Sequence, residues 1–205
     1  MTIHRLFATR IYRAALPQRA GRRLNERLLR ECRQLRLDDA AGRRWSLKNY
    51  AGGYTSYDSA SRMHRVSPTF AELERRLTRH VHSFARSLQF DLRRRSLAMT
   101  DCWVNIMPRG IAHGLHLHPA STISGTYYVR VPNGGPGLKF EDPRLDRFMA
   151  APPRIAGCRA ENLTWVVLPA APGSLLLFES WLRHEVARQS AVGERISISF
   201  NYSWF

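Results

Sequence analysis

The sequence predicts a mainly β fold braced by helices, a sandwich, barrel or jelly roll, on three observations. Apolar residues in the front of the 205-residue chain recur at helical spacing. From Ser96 onward they fall instead into short runs separated by turn residues. A hydrophobic content of 44% with 10% aromatics is that of a globular chain, long enough to bury a core without staples. One domain, 1–205, is expected, with a mostly helical front over 1–95 and a β core over 96–205.

Two helices are predicted in the front. In Pro17–Leu37 the residues Leu24, Leu28, Leu29 and Leu35 follow near-helical spacing, with arginines between them. Ser67-Pro68 offers an N-cap followed by proline at the first helical position. Phe70, Leu73, Leu77, Val81, Phe84 and Leu88 then step by three or four along one face. His80 and His82 flank that stripe and are expected to face solvent. Residues 45–66, rich in Gly, Ser and Tyr, read as a long loop with little regular structure, and such loops are often functional.

Strands are predicted at Asp101–Met107, Gly114–His118, Ile123–Val131, Gly137–Glu141, Leu163–Leu168, Ser174–Phe178, Glu185–Arg188 and Arg195–Tyr202. Turn chemistry separates them, as at Pro132-Asn133-Gly134-Gly135-Pro136, Pro152-Pro153 and Pro172-Gly173. The helices have too few apolar positions for a core of their own and are expected to brace one sheet face. Asp142-Pro143 reads as a strand-ending turn.

The net charge is +16, nearly all of it from arginine, because Lys48 and Lys139 are the only lysines. A basic surface attracts nucleic acid, acidic proteins or anionic small molecules, but no aromatic-interleaved RNA motif accompanies it. Cys32, Cys102 and Cys158 are scattered without a CxxC pair, which argues against a disulfide framework and a thiolate zinc site. No run approaches the roughly 18 apolar residues of a membrane span. The first residues are broken by His4, Arg5, Arg10 and Arg13, so no signal-peptide core is visible and a cytoplasmic location is expected.

Chemistry concentrates in the back half. In Gly114-Leu-His-Leu-His-Pro119 the alternation of a strand projects His116 and His118 to one side, where two imidazoles can share a metal ion. Two ordinary sheet histidines fit the same pattern. His113, at odd spacing, is expected to point elsewhere or to lie in the preceding loop. Farther on, a lone His184 follows the Pro172-Gly173 turn, and Arg195 follows eleven positions later. Three ligands on one side of a metal leave open positions for a chelating co-substrate and O₂.

Taken in order, the stretches WVN (103–105), HLHPASTISGTYYVRVP (116–132), GLKFEDPR (137–144), PGSLLLFESWLRHEV (172–186) and RISISFN (195–201) resemble the 2-oxoglutarate/Fe(II)-dependent oxygenases. Within that family, which includes the prolyl hydroxylases, a bacterial group is the most similar. The resemblance implies a double-stranded β-helix, an Fe(II) centre and 2-oxoglutarate as co-substrate. It implies decarboxylation to succinate and CO₂ coupled to hydroxylation of a small molecule or protein side chain by O₂. His116 and His184 match metal ligands, and no catalytic side chain beyond the ligands is implied. Arg195 matches the residue that grips the distal carboxylate of 2-oxoglutarate, for which its planar fork is suited. Ser197, on the same strand face, Tyr128 and Asn105 are the further co-substrate candidates, while Tyr127 points the other way. Most relatives carry a carboxylate two residues after the first histidine, where this chain has His118. Either His118 completes a three-histidine site or it stands beside an iron held by fewer ligands.

The expected function is therefore a 2-oxoglutarate-dependent hydroxylase of a polar or anionic substrate. The alternatives are a three-histidine, cupin-like dioxygenase that does not use 2-oxoglutarate, and a non-catalytic basic jelly roll that binds nucleic acid or an acidic partner.

Overall fold

The computed structural model describes residues 1–205, with side chains for all but residues 18–20. The elements run β1 (Ile11–Ala15), α1 (Gln18–Asp38), α2 (Ala40–Asn49), β2 (Tyr54–Thr55), α3 (Met63–Val66), α4 (Pro68–Ser87), β3 (Leu97–Met107), β4 (His113–His116), β5 (Ile123–Arg130), β6 (Leu138–Glu141), β7 (Trp165–Leu168), β8 (Ser174–Glu179), β9 (His184–Val186) and β10 (Arg195–Trp204). They form a six-stranded sheet, β1-β8-β5-β10-β3-β2, and a four-stranded sheet, β4-β9-β6-β7. Every strand pair is antiparallel. This is the double-stranded β-helix.

Alternation along the large sheet separates two environments. On β10, Ile196, Ile198, Phe200 and Tyr202 join a core shared with the helices, as do Val104 and Ile106 of β3 and Leu175 and Leu177 of β8. The helices contribute Leu24, Leu28, Cys32, Phe70, Leu73, Leu77 and Val81, all fully buried. Each large apolar side chain so buried is worth about 1.5–3 kcal/mol, so this core anchors the helical front to the sheet. The intervening residues face the small sheet, where Met107, Tyr128, Leu176 and Phe178 pack with Leu138, Phe140, Leu182 and Val186 in a second cluster.

The N-cap of α4 forms as its sequence predicts. Ser67 Oγ accepts from the backbone N–H of Thr69 and Phe70, at 3.2 and 3.3 Å. The front half also corrects three expectations. Residues 45–66 are not a plain loop: α2 runs to Asn49, β2 pairs with Asn105 and Ile106 of β3, and α3 follows at Met63. β1 is an additional edge strand paired with β8. His80 and His82 are half-buried rather than solvent-facing, and His80 Nδ1 meets the Tyr12 hydroxyl of β1 at 2.9 Å. Asp142 caps the turn after β6, accepting from the Arg144 N–H at 2.9 Å. All three cysteines are free, and no helix among the described residues is long and apolar enough to cross a membrane.

Candidate metal centre

His116 on β4 and His184 on β9 are direct cross-strand partners, so their side chains lie on the same face. His118 follows the end of β4, where its backbone N–H donates to the Ser180 carbonyl at 3.0 Å. One ring nitrogen from each of His116, His118 and His184 lies within 4.8 Å of the others. The expected trio is therefore brought together.

The remaining ring nitrogens decide what the trio can bind. His116 Nδ1 donates to the Gly114 carbonyl at 2.7 Å, and His184 Nδ1 to the Leu182 carbonyl at 2.9 Å. His118 Nδ1 lies 2.7 Å from Asn201 Oδ1, an acceptor, which also receives the Ser124 hydroxyl at 2.8 Å. Each Nδ1 thus carries the proton, and each Nε2 keeps a free lone pair, the tautomer a metal requires. Burial holds all three imidazoles neutral: the pKa of His184 falls to about 3 and that of His118 to about 4, while that of His116 is also lowered. Phe178 packs on His184 at 4.6 Å between ring centroids and Trp103 on His118 at 5.6 Å, fixing the rings from the sides.

Deeper between the sheets, the inward residues of the large sheet form a polar row. Tyr128 of β5 and Asn105 of β3 flank Ser197 of β10 in register. Arg195 lies one inward position farther along β10, only 3% exposed. Its guanidinium donates to Ser197 Oγ at 3.1 Å and to the Pro136 carbonyl at 3.2 Å, and its Cζ lies 5.1 Å from the Tyr128 ring centroid. Among the described residues no carboxylate is within salt-bridge distance of Arg195. A buried, uncompensated cation is costly, so this pocket is built to receive an anion. Two further buried atoms lack partners there, the Tyr128 hydroxyl and Asn105 Oδ1. The donor set fits a metal at the histidines and a carboxylate ligand at Arg195.

Residues 101–201 match the model of the family described as "Putative 2OG-Fe(II) oxygenase". That stretch is the core of a 2-oxoglutarate/Fe(II) oxygenase. Fe(II) and 2-oxoglutarate are accordingly its metal and co-substrate. A comparison with curated proteins gives no match. Solved structures share the fold at low identity. A Pseudomonas putida prolyl-4-hydroxylase is 17% identical over 95% of this chain and 92% of its own, with a TM-score of 0.57. SnoN, an α-ketoglutarate-dependent epimerase of nogalamycin biosynthesis, is 14% identical over 95% and 76%, with a TM-score of 0.65. HygX from Streptomyces hygroscopicus, solved with nickel and 2-oxoglutarate, is 14% identical over 95% and 83%, with a TM-score of 0.60.

Three residues around the histidine trio are not among those the sequence singles out for it. Asn201 lies on β10 at the same alternation as Arg195, Ser197 and Ser199, a signal that was available in RISISFN. The odd spacing of His113 predicts that it points elsewhere or lies in the preceding loop; instead it opens β4 and its ring stacks on His116, with centroids 4.6 Å apart and planes 13° apart. The reason is an irregularity in β4 between His113 and His116, where three residue steps face the two that separate Val186 from His184 on β9. Tyr50, at the end of α2, contacts the His113 ring at 5.2 Å, and nothing in its local sequence announces this.

Proposed function

We propose that the oxygenase holds Fe(II) through His116, His118 and His184, binds 2-oxoglutarate through Arg195, Ser197, Tyr128 and Asn105, and hydroxylates a polar or anionic substrate. The observation that carries this reading is the buried Arg195, without a carboxylate partner, facing the same interior as three imidazoles whose Nε2 atoms are free. Bound together, iron and 2-oxoglutarate supply the oxidative chemistry: O₂ is reduced, 2-oxoglutarate yields succinate and CO₂, and one oxygen atom goes to the substrate. The protein residues provide orientation. Arg195 grips the distal carboxylate with its fork, and Ser197 keeps that fork in place through the 3.1 Å hydrogen bond. The Tyr128 hydroxyl and Asn105 Oδ1 give the pocket a donor and an acceptor that the protein leaves unused. Phe140 and Phe178, both buried beside His184, exclude water from that flank.

An imidazole at position 118 leaves the iron one unit more positive than a carboxylate would. That strengthens its attraction for an anionic co-substrate. The net charge of +16 supports a polar or anionic substrate, a small molecule or a protein side chain.

The test is an anaerobic titration of metal-free protein with Fe(II) and then 2-oxoglutarate, following the visible charge-transfer band of the chelate. Wild type should give the band, His184→Ala should abolish it, and Arg195→Ala should demand at least tenfold more 2-oxoglutarate. Tight Fe(II) binding with no band would favour a three-histidine dioxygenase that oxidises its substrate directly. No iron binding would overturn both enzyme assignments.

A further inference from the structure

We propose that His113 is an additional co-substrate-binding residue, whose imidazole hydrogen-bonds the 2-oxo-dicarboxylate between the metal ligands and Arg195. The inference rests on the co-substrate site assigned above and adds a residue to it. On β9, His184 and Val186 both point inward, and Val186 packs in the inner cluster with Tyr128 and Met107. His113 is the cross-strand partner of Val186, as His116 is of His184. Cross-strand partners share a face, so His113 stands one pair away from the metal ligands on the inward side. The extra residue in β4 is what turns it there.

Its surroundings match a ligand-facing role. The ring stacks on His116, and its centroid is 5.2 Å from that of Tyr50. Tyr50 itself packs in the cluster that contains Tyr128, the ring beside the Arg195 guanidinium. The other three imidazoles each spend Nδ1 on a protein oxygen. Neither ring nitrogen of His113 has a protein hydrogen-bond partner among the described residues. A neutral imidazole carries one N–H donor, and here that donor is free beside a pocket whose nearest cation lacks an anion.

The deciding variant is His113→Phe, which keeps an aromatic ring against His116 and removes both nitrogens. Binding of Co(II), as a non-turning-over metal, and of 2-oxoglutarate to the Co(II)-loaded protein would be measured by calorimetry. A thermal melt establishes that each variant is folded, and His113→Gln supplies a second, donor-bearing variant. The expected result is Co(II) affinity within threefold of wild type, with 2-oxoglutarate bound at least tenfold more weakly by His113→Phe and less weakened in His113→Gln. Unchanged 2-oxoglutarate affinity in His113→Phe would overturn the proposal and leave His113 as packing. A parallel loss of Co(II) affinity would also overturn it, assigning His113 to support of His116. Wild type that takes Co(II) but no 2-oxoglutarate would instead sink the co-substrate site itself.

Discussion

At the scale of single residues, the departure from the family pattern at His118 has a support of its own. A carboxylate at that position would need no acceptor behind it, whereas an imidazole ligand must have its second nitrogen held. Asn201 Oδ1 does this at 2.7 Å, and Ser124 holds the amide oxygen in turn. Ser124 also touches the Ser180 hydroxyl at 2.8 Å, so three strand and loop segments converge on one ring nitrogen. If His118 ligates iron, Asn201→Ala should lower metal affinity by roughly 10- to 100-fold, the usual effect of removing such a support. The comparison to make is Fe(II) or Co(II) affinity in Asn201→Ala and His118→Ala against wild type. Equal affinity in all three would place His118 outside the coordination sphere and leave His116 and His184 as the protein's ligands.

At the scale of elements, α4 is tied at its start to both its own backbone and its neighbour. Besides capping α4, the Ser67 hydroxyl donates to Glu31 of α1 at 2.5 Å. Ser67→Ala should cost about 1–2 kcal/mol, the upper part of the range for a lost cap. A calorimetric melt should then fall by about 2–4 °C per kcal/mol, while Fe(II) affinity stays at wild type because α4 packs on the outer face of the large sheet. A drop in metal affinity of the folded variant would mean that the helices position the site rather than brace it. The contrast between α4 and its neighbours also explains what the sequence makes legible. α4 buries one periodic face, and β3, β5, β8 and β10 are short apolar runs buried on both faces, so these five are readable within a few residues. In α2 only Gly42 and Ser46 are buried, so no apolar stripe marks it. β1 is a half-buried edge strand carrying Arg13, without clean alternation. In the site, His116, His118, His184 and Arg195 stand out by spacing and residue type. The β4 irregularity that turns His113 inward and the arrival of Tyr50 from α2 are tertiary facts that no local pattern carries.

At the scale of the whole molecule, gathering neutral imidazoles between two sheets ties stability to pH. An unfolded histidine titrates near 6.5, whereas in the folded protein His113 and His184 titrate at about 3 and His118 at about 4. Burial is the largest cause in each case, followed for His113 and His184 by the neighbouring His116. Between these limits the unfolded chain binds more protons than the folded one, so stability rises with pH there. The contribution is therefore complete above about pH 6.5 and is lost as pH falls toward 4 and 3. Each proton taken up on unfolding gives a slope of about 1.4 kcal/mol per pH unit. The three groups therefore act in the same direction, each making the metal-free protein less stable as pH falls below about 6.5. Asp39, Glu72 and Asp142 are shifted below their ordinary carboxylate values, so their contributions are lost only in a lower range, below about pH 4. Urea denaturation of the metal-free protein should show a midpoint that falls steadily from pH 7 to pH 5, with an unchanged denaturant slope. His184→Gln should flatten that fall by roughly one proton's share. A midpoint independent of pH over this range would show that water reaches these rings in the metal-free protein, and that the metal rather than the fold keeps the centre assembled.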